Sequence, residues 1–274
     1  MKKGISIWSF QKQPLSETFR QAKQAGYDGV ELSLDASGEV SMESTQQEIE
    51  LIRAQADAAG IALYSVATNL HWDYSLTSNN PEVREKAKAV IRKQLDVASW
   101  LGCDTILVVP GAVGVDFIPN CELVSYDIAY ERALSAMKEL APYAEERKVS
   151  IALENVGNKL LLSPLEFRDF IDKVGSNYVG AYFDVGNILR TGYPEQWIQI
   201  LNTRIKKIHF KDFKRSSNSF VGLMAGDVNF PAVMAALREI GYNDWLTAEM
   251  GPLYTHYPEM ILYTTSIAMD KIMA

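Results

Sequence analysis

The hydrophobic residues of this chain are concentrated in eight short runs that recur from one end to the other. The runs are rich in β-branched and aromatic side chains. Near-continuous apolar runs of this kind are typical of strands buried on both faces, as in a parallel sheet. The predicted strands cover residues 4–8, 29–34, 62–67, 105–109, 150–154, 179–184, 205–210 and 245–249.

Segments with a helical spacing of apolar residues lie between most of these runs. Several have Pro near the start, where a helix needs no amide hydrogen, and Gly just past the end, where the left-handed conformation is common. The predicted helices cover residues 15–25, 44–59, 81–101, 126–146, 164–174 and 230–240. Three longer stretches, 68–80, 110–125 and 215–227, are predicted to be irregular, and each follows a strand.

Eight strand–helix units in 274 residues predict an α/β fold, namely one (β/α)₈ TIM barrel that forms a single domain over residues 1–274. An open doubly wound sheet usually carries a Gly-rich phosphate loop after its first strand. Here residues 9–14 follow the first strand and include no glycine. Barrel enzymes carry their active sites at the carboxyl ends of the strands, so the chemistry is expected there.

Charge and composition limit the partners and the compartment. The formal net charge of −7 disfavours nucleic acid and anionic membranes, because both are bound through basic surfaces. No apolar run approaches the roughly 20 residues of a membrane span, and polar residues interrupt the N-terminal run early. Cys103 and Cys121 do not form a CxxC pair. These features predict a cytoplasmic protein.

Each of the last four predicted strands ends in one ionisable side chain. These side chains belong to Glu154, Asp184, His209 and Glu249. A charge at the end of a buried strand is costly unless it is paired, hydrogen-bonded or bound to a metal, and three carboxylates at one rim would repel each other. A divalent cation removes that repulsion. Three carboxylates with one imidazole predict a site for one divalent metal ion, Mn²⁺ first, with Mg²⁺, Co²⁺ or Zn²⁺ as alternatives.

At these residues the sequence resembles the xylose-isomerase-like TIM barrel superfamily of sugar phosphate isomerases and epimerases. The resemblance covers essentially the whole chain and begins at Gly-Tyr-Asp-Gly-Val-Glu-Leu, residues 26–32. Its most specific parts are Leu-Glu-Asn at 153–155, Phe-Asp-Val-Gly-Asn at 183–187, Ile-His-Phe-Lys-Asp at 208–212 and Gly-Asp-Val-Asn-Phe-Pro at 226–231. The resemblance implies that Glu154, Asp184, His209 and Glu249 hold the metal.

The ketose 3-epimerase branch of this superfamily also implies a mechanism. In that branch the metal holds a carbonyl oxygen and a neighbouring hydroxyl oxygen of the sugar. One glutamate ligand removes the proton between them, which gives an enediolate, and a second glutamate returns a proton to the opposite face. By this resemblance Glu154 and Glu249 are the catalytic acid/base pair. The metal would stabilise the developing oxyanion and so acidify the carbon-bound proton.

The same branch suggests which residues contact the substrate. An arginine six residues after the metal histidine binds the reacting end of the sugar there, and Arg215 stands at that spacing. The chain departs from the branch in having Asn187 in place of a histidine and Leu160 in place of a second glutamate. Asn187 is expected to donate a hydrogen bond to a substrate oxygen. These departures argue against an epimerase of free ketohexoses. They favour a likeness to the pentulose-phosphate epimerases, which tolerate the sequence Asp-x-Gly-Asn.

Four further residues near strand ends are predicted to contact a sugar or sugar phosphate. Trp8, His71 and Trp72 offer rings for stacking or an imidazole for hydroxyl groups, and Lys211 follows strand seven, where barrels often bind phosphate. Glu31 of strand two is a candidate for supporting the metal ligands. Barrels of this group often form homodimers or homotetramers, although no stretch identifies an interface.

Two other functions stay open at this point. A polyol dehydratase, similar to the inosose dehydratases, would begin with the same proton abstraction and then expel a hydroxyl group. A non-catalytic sugar-binding barrel would keep the fold without turnover, and the intact ligand set argues against it. The related DNA-repair endonucleases gather three zinc ions on many histidines, whereas this chain has 3 histidines in total.

Overall fold

The eight predicted strands form a closed parallel barrel. The computed structural model describes all 274 residues. Its strands are β1 (Lys2–Ser6), β2 (Gly29–Ser33), β3 (Ala62–Ala67), β4 (Thr105–Val108), β5 (Ser150–Glu154), β6 (Val179–Asp184), β7 (Ile205–Phe210), β8 (Asp212–Lys214), β9 (Ser219–Val221) and β10 (Trp245–Ala248). The barrel order is β1-β10-β7-β6-β5-β4-β3-β2, with every pair parallel, and β8 and β9 form a separate hairpin. The predicted TIM barrel is confirmed.

Helices surround the barrel and mostly match the predicted segments. They are α1 (Leu15–Gln24), α2 (Gln46–Ala59), α3 (Leu70–Asp73), α4 (Pro81–Leu101), α5 (Tyr126–Arg147), α6 (Pro164–Val174), α7 (Pro194–Leu201), α8 (Phe230–Glu239) and α9 (Met260–Met273). Helix α2 begins with a capping box between Thr45 and Glu48 and ends at Gly60, whose φ of 69° suits glycine. None of these helices combines the length and the apolar character that a membrane crossing requires.

The structure departs from the predicted elements in several places. Helix α9 lies outside every predicted helix range, and α3 lies within the stretch 68–80 that was predicted to be irregular. Strand β1 ends at Ser6 rather than at residue 8, because Ile7–Ser9 forms a 3₁₀ turn. The stretch 215–227 is not wholly irregular, since β9 lies within it and pairs with β8 in an antiparallel hairpin. Helix α7 was missed because its eight residues make only about two turns, too few for a helical period to show.

Aromatic side chains fill the amino-terminal half of the barrel interior. The rings of Tyr64 and Trp245 stack with centroids 4.0 Å apart, and the Tyr64 hydroxyl lies 2.9 Å from Thr247 Oγ1. Glycine is required beside them: a Cβ at Gly4 would overlap the Tyr64 ring, and one at Gly29 would lie 2.7 Å from Trp245. The floor of the barrel is therefore packed, and only its carboxyl end is free to form a site.

The last helix is fixed across the first two strands. Lys3 Nζ donates to Ser266 Oγ at 3.0 Å and pairs with Asp270, both on α9. The Tyr27 hydroxyl, just before β2, donates to the carbonyl of Leu262 at 2.9 Å. Because α9 follows β10 in the chain, these contacts tie the C-terminal end of the chain to the first two strands, so that the closure of the barrel does not depend on strand pairing alone.

Substitution of Gly4 by alanine tests the packing of the barrel floor. Tyr64 cannot move aside because it is stacked on Trp245, so we expect Gly4→Ala to lower the free energy of unfolding by about 1–3 kcal/mol. Urea denaturation would measure the loss. Gly157→Ala is the matched control, since nothing lies within 4 Å of its added Cβ, and its effect should stay within about 0.5 kcal/mol. Equal stability of the two variants would contradict this packing.

Candidate metal centre

Four neighbouring strands bring the predicted ligands to one rim. Glu154 and Asp184 are the last residues of β5 and β6, His209 is the last but one of β7, and Glu249 directly follows β10. These four strands are consecutive in the barrel and parallel, so their carboxyl ends lie side by side. The register pairs Asp184 with His209. The ligands therefore form an arc that has a glutamate at each end.

The four side chains converge closely enough to share one ion. One ligand atom from each lies within 4.8 Å of the other three. Nδ1 of His209 lies 2.8 Å from Glu249 Oε2, 3.8 Å from Glu154 Oε1 and 4.0 Å from Asp184 Oδ2. Asp184 Oδ2, His209 Nδ1 and Glu249 Oε2 are buried without an aligned hydrogen bond. Buried polar atoms seldom lack a partner, so a cation between them fits this site.

A buried carboxylate supports the histidine from behind. Glu31 is 0% exposed, and its Oε1 lies 3.0 Å from His209 Nε2. Its other oxygen accepts hydrogen bonds from Ser65 Oγ at 2.8 Å and from the Tyr182 hydroxyl. A carboxylate at the far nitrogen fixes the ring orientation and leaves Nδ1 for the metal. In the sequence, Glu31 can be recognised as a candidate for this supporting role because it is the one acidic residue of strand β2.

Two asparagines hold the carboxylate ligands in place. The Asn155 side chain accepts from the Asp184 amide and donates to the Asp184 carbonyl, both at 2.8 Å. The backbone amide of Asn187 donates to Asp184 Oδ1 at 2.8 Å, and its side chain donates to the Asn155 carbonyl at 2.9 Å and to Glu154 Oε1 at 3.3 Å. Asn187 was predicted to contact the substrate, and it borders the cavity. It also positions two candidate ligands, Asp184 through its backbone amide and Glu154 through its side chain.

Lys211 lies within the ligand cluster. Its ammonium is 2.8 Å from Glu249 Oε2 and 3.2 Å from Asp184 Oδ2. Burial opposes the charge of Glu249, but Lys211 and His209 outweigh burial and lower the pKa of Glu249 to about 2. With Glu31 included, four carboxylates face one ammonium and one imidazole. This excess of negative charge suits an additional cation.

The remaining ligands show the opposing effects of burial and charge. Burial raises the pKa of Glu154 and of Asp184 above the ordinary carboxyl range. Burial also works to lower the pKa of His209, but the carboxylates of Glu31 and Glu249 outweigh it and raise that pKa well above the usual value. A metal requires a neutral imidazole and ionised carboxylates, so its binding would release protons from this cluster.

A large cavity opens above the ligands at the carboxyl end of the barrel. Its volume is about 1570 Å³, which is ample for a small sugar derivative. Trp8 and Trp72, two of the predicted substrate contacts, border it, and Trp72 meets Phe117 edge-on with ring centroids 5.1 Å apart. Of the four ligands only Glu154 and Glu249 reach the cavity surface, whereas the other two lie behind them. The two glutamates are therefore the ligands exposed to a bound molecule.

Comparison with known proteins agrees with this architecture. The family model described as xylose isomerase-like TIM barrel matches residues 19–264. The chain belongs to this family. Among curated proteins it is 27% identical to a 2-epi-5-epi-valiolone 7-phosphate 2-epimerase of Actinoplanes sp., over 86% of this chain and 81% of that protein. It is 25% identical to an L-ribulose-5-phosphate 3-epimerase of Salmonella paratyphi C, over 82% of this chain and 78% of that protein.

Solved structures show the same barrel at lower sequence identity. The D-psicose 3-epimerase of Clostridium cellulolyticum H10, crystallised with D-tagatose, superposes with a TM-score of 0.82 at 19% identity. The superposition covers 99% of this chain and 98% of that one. At this level of identity the likeness establishes the fold. The function of this xylose isomerase-like barrel has to be argued from its own residues.

His71 is not among the residues that border the cavity of this family member. Its side chain is 3% exposed and faces Gln94 and the Leu107 carbonyl behind the barrel rim. Successive residues of a helix project about 100° apart, so in α3 the side chain of Trp72 faces the cavity while that of His71 does not. Burial lowers the pKa of His71 to about 4.

Arg215 also lies outside the cavity lining. Its Nε donates to the Leu189 carbonyl at 2.9 Å and its Nη2 to the Gly192 carbonyl at 3.2 Å, and its guanidinium lies 5.4 Å from the Tyr193 ring centroid. The β8–β9 hairpin turns Arg215 toward the segment after β6. The arginine that borders the cavity is Arg190, which no motif in the sequence singled out.

Removal of the Glu31 charge should weaken metal binding while leaving every ligand in place. We expect Glu31→Gln to raise the Mn²⁺ dissociation constant by roughly 10- to 100-fold, because the His209 ring loses the carboxylate that orients it. Calorimetric titration of chelator-treated protein would measure this. Ser65→Ala is the control, since it keeps the Glu31–His209 contact and removes only the hydrogen bonds of the Ser65 hydroxyl to Glu31 and Tyr182. Unchanged affinity in Glu31→Gln would refute the positioning role.

The buried imidazole of His71 should make stability depend on pH. Its pKa is about 4 in the folded chain, whereas an unfolded histidine titrates near about 6.5. The neutral ring therefore contributes stability above the unfolded pKa, and this contribution, up to about 3 kcal/mol, is lost as the pH falls toward 4. We expect His71→Gln to lose less stability on acidification than the parent chain. Equal losses in urea unfolding would argue against this.

Proposed function

We propose that this chain is a divalent-metal-dependent isomerase or epimerase of sugars or sugar phosphates, with Glu154 and Glu249 as its acid/base pair. The observation that carries the proposal is the unequal exposure of the ligands. Only the two glutamates border the cavity, and they stand at opposite ends of the ligand arc. A substrate held between them would present one face to each carboxylate.

The proposed reaction follows from this placement. A bound metal would act as a Lewis acid and stabilise negative charge on a sugar oxygen. One glutamate would accept the proton from the hydroxyl-bearing carbon next to the carbonyl group, which gives an enediolate. The other glutamate would return a proton to the opposite face of that carbon. Asn187 next to Glu154 and Lys211 next to Glu249 hold the two carboxylates at fixed positions. A base that is fixed before the substrate binds loses less entropy during the reaction.

The relatives support this class of reaction over the alternatives. Both curated relatives named above are, by their names, epimerases that act on phosphates. We carry over the reaction class and leave the particular sugar to experiment. Mn²⁺ is the metal we favour, because three carboxylates and one imidazole form a hard, mixed ligand set.

Proton exchange in heavy water would test the proposal. The protein, with and without Mn²⁺, is incubated with ketopentoses, ketohexoses and their phosphates, and the carbon-bound hydrogens are followed by NMR. We expect metal-dependent deuterium uptake at C3 together with a new diastereomer. Uptake at C1 or C2 with an aldose product would identify an isomerase, and a product that has lost water would identify a dehydratase. A metal-loaded protein that exchanges no substrate proton would contradict the proposal.

Glu154→Gln tests the acid/base assignment directly. The amide keeps the size of the side chain but cannot accept the proton, so we expect the exchange rate to fall by roughly 10²- to 10⁴-fold while circular dichroism is unchanged. Glu39→Gln is the matched control, because Glu39 borders the same cavity outside the ligand set and an amide oxygen can still accept from the Leu15 amide. Full activity in Glu154→Gln would refute the assignment.

A further inference from the structure

Of the basic side chains that border the cavity, Lys12 and Arg190 form no ion pair. The basic residues that border the cavity are Lys12, Lys159, Arg190 and Lys211. Lys159 and Lys211 form ion pairs with carboxylates, and Lys12 is close enough to Asp35 to favour its ionised form. Arg190 forms neither an ion pair nor a side-chain hydrogen bond. In a chain of net charge −7, an unpaired guanidinium at the cavity surface calls for an explanation.

The β8–β9 hairpin supports the Arg190 guanidinium on aromatic rings. Phe213 and Phe220 are directly opposite each other across the hairpin, with ring centroids 5.3 Å apart. The Arg190 guanidinium carbon lies 5.0 Å from the Phe213 centroid and 5.9 Å from that of Phe220. Such cation–π contacts orient the guanidinium plane and use none of its N–H groups. All five donors of Arg190 are therefore available to a ligand.

Hydrogen bonds from Arg215 also fix the backbone on either side of Arg190. Arg215 donates to the carbonyls of Leu189 and Gly192, which lie on either side of Arg190 in the chain. The 3₁₀ turn that ends at Arg190 begins at Asn187, whose amide contacts the metal ligands. Arg215 thus acts on the cavity through the segment that it fixes, although it does not border the cavity itself.

The position of Arg190 relates it to the proposed reaction centre. Lys211, which pairs with two metal ligands, lies 5.6 Å from the Phe220 centroid, and Arg190 lies near the same ring. Glu154, Glu249, Phe220 and Arg190 border the same cavity, so a small molecule whose reacting carbons face the two glutamates has room to extend past Phe220 toward Arg190. Its far end would meet a fixed guanidinium with free donors.

We propose that Arg190 binds an anionic group at the end of the substrate remote from the metal. The matching chemistry is a phosphate monoester or a carboxylate, because the guanidinium donates two parallel hydrogen bonds to either group. This inference rests on the proposed function and narrows its substrate class to sugars that carry an anion. Arg215 is a positioning residue for this subsite.

Binding measurements separate this subsite from the catalytic step. Calorimetric titration of the Mn²⁺-loaded protein would compare L-ribulose 5-phosphate, D-tagaturonate and uncharged L-ribulose. We expect Arg190→Gln to weaken binding of an anionic ligand roughly tenfold or more and that of L-ribulose less than about twofold. Loss confined to the phosphate ester identifies a phosphate subsite, and loss confined to the uronate identifies a carboxylate subsite. Lys12→Gln, a matched charge removal at the same cavity, should change each constant less than about threefold.

Several outcomes would overturn the proposal. The first is a wild-type protein that binds neither anionic ligand more tightly than L-ribulose, and the second is an Arg190→Gln variant that loses no anion affinity or weakens L-ribulose equally. Arg190→Lys should restore part of the affinity, since it keeps the charge but not the paired donors. Because binding is measured without turnover, a failure of the proposed epimerisation would appear separately, as absent proton exchange.

Discussion

The electrostatic repulsion among buried carboxylates is the constraint on which this structure depends. Glu31, Glu154, Asp184 and Glu249 crowd the carboxyl end of one barrel, and each would be costly there alone. A closed parallel barrel brings the ends of distant segments together whether or not their charges agree. The fold therefore has to supply compensating positive charge. Lys211 and His209 supply part of it, and the remaining excess of carboxylate makes the centre a candidate site for a cation that would supply the rest.

The surrounding residues divide the ligands into two kinds. Asp184 and His209 lie behind the cavity surface, and Asn155 and Glu31 fix them from the protein side. The glutamates at the ends of the arc border the cavity, so their carboxylates are accessible to a molecule that enters it. Ligands that are fully enclosed set the position of an ion, whereas ligands that are partly open can also exchange protons. The same four side chains can thus combine binding with acid/base chemistry.

The predictable parts of the site are those that depend on strands. Glu154, Asp184 and Glu249 follow apolar runs, and a parallel barrel converts that local pattern into a common rim. The surroundings depend on loop geometry that no periodicity records. His71 faces away because it precedes Trp72 on α3 and adjacent helical residues project about 100° apart, and Arg215 turns aside because β8 and β9 form a hairpin. The distance in sequence from a motif gives the position of a residue along the chain. The direction of its side chain depends on tertiary contacts, which that distance does not reveal.

The hairpin also explains why Arg190 borders the cavity and Arg215 does not. It presents Phe213 and Phe220 to Arg190 and directs Arg215 to the backbone that carries Arg190, so the two arginines form one unit. The cavity consequently has opposite electrostatic character at its two ends, with excess carboxylate at the ligand arc and an unpaired guanidinium beyond Phe220. A molecule with an anion at one end can enter in only one favourable orientation. If Arg190 holds that anion, the other end of the molecule would face the two glutamates, and the charge distribution of the cavity would select which carbon reacts.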